Sequence, residues 1–326
     1  MTGETRPIEI AHRVFQLELP TPYPIGPVYV YLLREEPITL IDTGVNSKQS
    51  LASLKEQLRH LNVQMSQIER ILITHGHSDH YGAAQTMLNY GIKRAHIHTW
   101  DMDKVTHRTD YYLRMKPYLA TLGMPQDYQE HYVKFIAWET PYAIDLERVS
   151  PLKDGERLSH GHLVLEILHV PGHSPGHVVF IEKNEKWAIT GDFIFAQITP
   201  DPILDIPHSG ERTPSMPLHM ESLKKFIAQR VETYFPGHKE KRGKVNDALE
   251  QFKIRMAYKK NLFLQALKGR SLTPFQLMRE LYPNSRKGEA FVLLSEVIGR
   301  LDLLKEEKMV ESYMDKGLVY YRTTGE

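Results

Sequence analysis

The 326-residue chain has no cysteine. Disulfides, thiolate metal sites and cysteine nucleophiles are therefore excluded, and histidine and carboxylate side chains are left as the available metal ligands. No apolar run approaches the roughly 20 residues needed to span a bilayer, and no basic start followed by an apolar stretch marks a secretory leader. The expectation is a soluble, cytoplasmic protein with no membrane partner. Charge of one sign is also scarce, since 41 Lys and Arg stand against 40 Asp and Glu. The balance hides a mild asymmetry: residues 252–326 carry 14 basic against 9 acidic groups, and residues 1–251 carry 27 against 31. A basic tail can attract nucleic acid, which stays an alternative but not a favoured partner. Internal repeats and low-complexity tracts are absent as well. With 41% hydrophobic and 25% charged residues, what remains is a globular chain long enough for one large domain and one small one.

Val28–Leu33 and Ile38–Ile41 are β-branched and aromatic runs separated by Arg34-Glu35-Glu36-Pro37, which predicts two paired strands, the second ending at Asp42-Thr43-Gly44. Leu51, Leu54, Leu58 and Leu61 recur at helical spacing behind Ser47, which can cap the helix. Arg70–Ile73 reads as a strand and Ala83–Tyr90 as a helix, so the polar run between them follows a strand end. Residues 100–148, rich in tyrosine and broken at Pro117 and Gly123-Met124-Pro125, read as an inserted helical segment that is a candidate lid. Strands return at Leu163–Val170, Val178–Ile181, Trp187–Ile189 and Val231–Phe235, with a helix at Leu218–Ala228. Beyond the helical stretch Val245–Lys268, Thr273-Pro274 opens a further helix, Ala290–Glu307 forms another, and a hairpin turns at Asp315-Lys316-Gly317. The domain division read from this pattern is 1–250 and 251–326.

Between the strand at 70–73 and the helix at 83–90 stands Thr74-His75-Gly76-His77-Ser78-Asp79-His80. A loop after a strand can wrap such a run around metal, because two imidazoles one residue apart point the same way from extended backbone while Asp79 and His80 turn toward a second ion. Three more candidate ligands stand at predicted strand ends: His173 in Pro171-Gly172-His173, Asp192 in Thr190-Gly191-Asp192, and His238 in Pro236-Gly237-His238.

Taken in order, Asp42, the run from His75 to His80, His173, Asp192 and His238 resemble the five motifs of the metallo-β-lactamase superfamily. The resemblance covers roughly residues 10–240 and implies an α/β fold, the αβ/βα four-layer sandwich. It implies His75, His77 and His173 on one metal, Asp79, His80 and His238 on a second, and Asp192 bridging, which makes Asp79 and Asp192 the catalytic carboxylates. Asp42 would accept a hydrogen bond from a ligand imidazole or steady the motif loop, and His177 would stand beside the ligands. The implied cofactors are two divalent ions, zinc in first place with iron or manganese as alternatives, because a set of imidazoles and carboxylates identifies a site and not a metal. Hydroxide held between two such ions is a nucleophile at neutral pH.

The tail, especially Gly269–Leu277, resembles the winged helix of the β-lactamase-like protein 2 group, which gives a small C-terminal α+β winged-helix-like domain. Its third helix carries Glu296, Asp302, Glu306 and Glu307 against Arg300 and Lys305, so a packing, dimerising or pocket-wall role is expected before nucleic-acid binding, and a homodimer is allowed. Hydrolysis of an ester, thioester or lactone is the leading expectation. A phosphodiesterase or single-strand endoribonuclease, and a non-catalytic binding module with a vestigial metal site, are the alternatives. Tyr81 is a candidate for the pocket floor and His208 for substrate contact, whereas His12, His60, His96, His98, His107, His131, His160, His162, His169 and His219 are read as surface or hydrogen-bonded structure.

Overall fold

The computed structural model describes residues 5–207 and 210–325. Seven strands, β1 (Ile8–Ala11), β2 (Val14–Leu19), β3 (Val28–Leu33), β4 (Thr39–Ile41), β5 (Arg70–Leu72), β6 (Ala95–His98) and β7 (Val149–Leu152), form one sheet in chain order. Its first half is antiparallel, and from β4 onward it is parallel. A second sheet runs β13-β12-β11-β10-β9-β8, built from β8 (Arg157–His160), β9 (Leu163–His169), β10 (Val178–Glu182), β11 (Trp187–Gly191), β12 (Thr233–Pro236) and β13 (Gly243–Lys244).

Side chains alternate across a strand, so a strand buried on both faces contributes to two cores at once. β3 does this: Val28, Val30 and Leu32 face one core, while Tyr29, Tyr31 and Leu33 face another. The first core packs that sheet against α1 (Lys48–His60), α2 (Ser78–Tyr81), α3 (Ala84–Leu88) and α4 (Thr99–Thr106). The second lies between the two sheets, where Tyr31, Ile41 and Leu72 meet Leu165, Phe180 and Ile189. A third core joins the outer face of the second sheet to α8 (Ser215–Ala228) and the start of α9 (Val245–Leu267). The order helix, sheet, sheet, helix is the four-layer α/β sandwich expected from the sequence.

The inserted segment is helical as expected, with α4 followed by α5 (Arg108–Leu113), α6 (Met115–Thr121) and α7 (Gln126–Glu139). The break expected at Pro117 falls one turn earlier: the helix is interrupted at Arg114, between α5 and α6, because Pro117 in the first turn of α6 has no N–H to give Leu113 O. The tail holds α10 (Pro274–Leu281), α11 (Ala290–Glu306) and the hairpin β14 (Val310–Asp315) with β15 (Leu318–Thr323). Thr273 caps α10, accepting from Gln276 N–H at 3.2 Å while its own N–H donates to the Gln276 side chain at 2.9 Å. Met115, Leu119 and Leu122 of the insertion share a fourth core with Phe263, Leu277, Leu294 and Leu301 of the tail. α9 passes through residue 250 unbroken, its first turns in the third core and its last in the fourth.

Candidate metal centre

Parallel strands present their C-terminal ends on one edge of a sheet, and this places the site. β4 and β5 are parallel, as are β11 and β12, and β9 runs in the direction of β11 because each is antiparallel to β10. Asp42, the run from His75 to His80, His173, Asp192 and His238 therefore follow strand ends that converge on one edge. The run itself is only half a loop: beyond β5 the chain bends through Thr74–Gly76 and is extended at His77, whereas Ser78–Tyr81 closes a helical turn. That turn swings Asp79 and His80 away from His75 and His77 within six residues.

Three groups of ligand atoms lie close enough to hold an ion: His75 with His77 and His173, Asp79 with His80 and His238, and His75 with His80 and Asp192. His75 Nε2 is 3.0 Å from His77 Nδ1. His238 Nε2 is 3.2 Å from Asp79 Oδ2 and 3.7 Å from Asp192 Oδ2. Asp192 also reaches His80 Nε2 at 3.4 Å and His173 Nε2 at 3.6 Å, so it touches both sides of the cluster. The distal nitrogens of His77, His80, His173 and His238 and one oxygen of Asp192 are buried without a hydrogen-bond partner. Five orphaned polar atoms at one point would each cost on the order of 1–3 kcal/mol. Divalent cations remove that cost, and the donor set fits them.

Each inward nitrogen is aimed by what its ring partner does. His173 Nδ1–H donates to Asp201 O, and His238 Nδ1–H to Pro27 O, both at 2.8 Å. His80 Nδ1–H donates to Asp42 Oδ2 at 2.8 Å, and Asp42 also accepts from the N–H and the hydroxyl of Thr74, each at 2.8 Å. One buried carboxylate thus orients a ligand ring and anchors the start of the motif loop. His177 Nε2 accepts the N–H of Asp192 at 3.1 Å, and its ring stacks on His75 with centroids 4.7 Å apart. Gly237 is obligatory here: a Cβ would stand 2.5 Å from Asp192 Oδ1 and 2.7 Å from the His80 ring.

Burial and neighbouring imidazoles push His75, His77 and His177 well below the ordinary histidine range, and burial lowers His173. They are neutral, with lone pairs available. Burial alone would lower His80 and His238 too, but the carboxylates of Asp192 and Asp79, joined at His80 by Asp42, raise both. The imidazoles in turn hold Asp79 and Asp192 ionised, against the upward pull of burial.

Sequence reasoning missed a buried charge cluster behind these loops. Asp101 on α4 accepts from Gly76 N–H at 2.7 Å, from Gly176 N–H at 2.8 Å and from the Ser174 hydroxyl, which ties the His75 and His173 loops together. Lys104, one turn on, bonds Asp205 at 2.9 Å, and Tyr111 donates to the same carboxylate at 3.0 Å. Burial pushes the Asp205 carboxyl up to about 6 even with Lys104 pulling the other way. Arg255 of α9 donates to the carbonyls of Phe195, Ala196 and Ile198 and to Thr199, pinning the segment after Asp192. The available signal was an Asp and a Lys three apart in an otherwise surface-like helical pattern, which by itself reads as a solvated ion pair.

A pocket of about 210 Å³ opens on His77, Asp79, His173, Asp192 and His238. Tyr112, Tyr132, Phe135 and Ile136 of the insertion wall one side, and Phe291 and Val292 of α11 the other. No lysine or arginine is among the described residues of its lining. At the rim the Tyr23 hydroxyl lies 2.7 Å from Ser78 Oγ and donates to Glu139 at 2.8 Å, and Glu139 is paired with Arg108. Burial and Glu139 raise the Tyr23 phenol far above its usual value, so it stays a neutral donor.

Other expectations are relocated. Tyr81 is wholly buried in the core beneath α3 and does not reach the pocket floor. His219 is neither surface nor hydrogen-bonded: it is buried with both ring nitrogens unpartnered, its ring against Phe193 and Phe252. His98 and His169 stack with centroids 3.8 Å apart, and His12 and His162 join Glu35 in a fourth group of ligand atoms, away from the pocket. His208 lies outside the described residues. No helix among the described residues is long and apolar enough to cross a membrane.

The chain matches the Metallo-beta-lactamase superfamily over residues 23–238, and it belongs to that superfamily. It is a hydrolase of this class, whose members typically bind divalent metals. "Probable metallo-hydrolase YqjP" of Bacillus subtilis is 28% identical over 317 residues, 95% of this chain and 98% of that protein. "Hydroxyacylglutathione hydrolase GloC" of Haemophilus influenzae is 30% identical over 49% of this chain and 63% of its own length. Among solved structures, a metallo-beta-lactamase family protein from Thermus thermophilus aligns with a TM-score of 0.83 at 22% identity, covering 97% of this chain and 100% of that one. A beta-lactamase domain protein from Burkholderia ambifaria aligns at 0.81 and 18%, covering 98% and 94%.

Proposed function

We propose that the chain hydrolyses an uncharged acyl substrate, an ester, thioester or lactone, at a centre of two divalent ions. The observation that carries the reading is the pocket lining, which beside the candidate ligands offers apolar side chains and, among the described residues, no lysine or arginine. Two cations could hold one phosphoryl group, but the flanking phosphates of an RNA strand need Arg or Lys contacts, and an apolar lining favours an acyl chain instead. α11, the helix of the winged-helix-like tail, supports the same choice: Arg300 is buried against Glu296 at 2.9 Å and does not present a basic face. The partial similarity to GloC, named for a thioester, is in keeping with acyl chemistry.

His75, His77 and His173 would hold one ion and Asp79, His80 and His238 the other, with Asp192 between them. Bound there, two divalent cations, with zinc preferred, supply Lewis-acid polarisation of a carbonyl and an acidified water at neutral pH. The chain's own groups do the rest. Asp42 and His177 fix the ring of His80 and the backbone of Asp192, so the ligand atoms are preorganised before substrate arrives. Tyr23 and Ser78 at the rim can hydrogen-bond a polar group beside the scissile bond, while Arg108 neutralises Glu139 and keeps that rim from repelling it.

The test is a panel of acyl esters, thioesters, lactones, phosphodiesters and single-stranded RNA, given to protein loaded separately with zinc, iron and manganese. Acyl hydrolysis should fall by about 10²-fold or more in His77→Ala and Asp192→Asn. Metal analysis of the parent should give about two ions per chain. Phosphodiester cleavage without acyl hydrolysis would overturn the reading, and one ion per chain would remove the bridging role of Asp192.

A further inference from the structure

We infer that the pocket is a preformed subsite for a short apolar acyl chain, and that Phe291 and Val292 of the C-terminal segment set the chain length it takes; this rests on the acyl reading above. Three observations carry it. The first is lining: His77, Asp79, His173, Asp192 and His238 share one cavity with aromatic and aliphatic side chains of α7 and α11, so a carbonyl held at that cluster sets its hydrocarbon against Tyr132, Ile136 and Phe291. An apolar chain placed there loses water on both sides.

The second is size. The cavity measures about 210 Å³. That is below the usual range for drug-sized ligands, about 300–1,000 Å³, so bulky conjugates must leave most of their mass outside. Val292, 37% exposed at the start of α11, carries the apolar lining out to solvent.

The third is rigidity. The Tyr132 and Phe291 rings, one from each wall, are in contact with centroids 4.7 Å apart and close the cavity where α7 meets α11, and the Tyr132 hydroxyl is tied to Tyr112 O at 2.9 Å. Lys287 pairs with Asp127 at the start of α7, and Arg212 grips Asp302 of α11 through two bonds of 2.6 and 2.7 Å. The ring contact and the Tyr132 tether hold the closed end of the cavity, and the Arg212–Asp302 pair fixes the far end of α11. The tail is then part of the active site and supplies a side chain that selects substrate.

Binding of straight-chain 1-alkanols from two to ten carbons, measured by calorimetry on the metal-loaded full chain, tests the inference without any bond being hydrolysed. Affinity should rise about fourfold per methylene and level off within the series, once the chain fills the cavity. Phe291→Ala should move that plateau two or more carbons longer, and Phe291→Trp should shorten it. Val292→Asp, at a half-exposed position that folding tolerates, should weaken the longest alkanols by tenfold or more and leave ethanol unchanged. Affinity independent of chain length, or profiles in the Phe291 and Val292 variants that superimpose on the parent, would overturn it. A normal alkanol profile in a protein that hydrolyses no ester would sustain the subsite while the hydrolase reading fails, and ester hydrolysis without length dependence would do the reverse.

Discussion

Asp101 accepts a 2.7 Å hydrogen bond from the N–H of Gly76, the residue between His75 and His77. Its other oxygen accepts the N–H of Gly176, so a single carboxylate in the inserted helix α4 sets the distance between two loops that carry ligand atoms. Asp101→Asn keeps the volume but turns one acceptor into a donor facing an N–H. Metal affinity, measured by competition with a chelator, should drop about 10- to 100-fold, as for other residues that support ligand loops. The secondary structure seen by circular dichroism should be retained, and an unchanged affinity would show that the loops hold their spacing without it.

The His160 ring is wholly buried at the end of β8 and lies 3.2 Å from the Thr39 hydroxyl. Burial, with Arg70 adding to it, lowers this histidine from its usual value to about 4. Between about pH 6.5 and 4 the unfolded chain therefore binds more protons here than the folded one, so stability rises with pH across that window. The contribution is complete above about 6.5 and is lost as pH falls toward 4. Urea unfolding at pH 7.5 and pH 5 should show the parent losing about 1–3 kcal/mol more than His160→Gln. Equal losses would assign the pH dependence elsewhere.

Leu301 of α11 is wholly buried in the core that also holds Leu119 of α6. Leu301→Ala should cost about 2–5 kcal/mol. Because the insertion and the tail share that core, amide exchange should accelerate in Met115–Thr121 and Gln126–Glu139 as well as in α11. Acceleration confined to α11 would mean that the two segments open independently.

The residues of the candidate centre were legible because their chemistry is concentrated in short motifs. Histidine and aspartate stand next to glycine at strand ends, and both strand and turn signals are local. Ser47 and Thr273 caps were legible for the same reason, since a cap bonds an N–H three residues away. β1, β2, β7, β8 and β13 went unread, most of them being short strands that borrow their regularity from a neighbour. Pro117 marks its break one turn ahead of itself, because the carbonyl it leaves without a partner lies four residues before it.

What the order of residues determined on its own is therefore the set of groups able to hold metal and the α/β character of the chain around them. Tertiary structure decided the rest. Asp101, Lys104 and Asp205 are a surface-like pattern in the sequence and a wholly buried network in the fold, because their partners come from segments roughly 25 to 100 residues away. The pocket wall is made likewise, with Tyr132 and Phe291 distant in the chain and in ring contact in the fold. Ligand chemistry is written in adjacent residues, whereas a cavity is the space left between segments that meet only after folding.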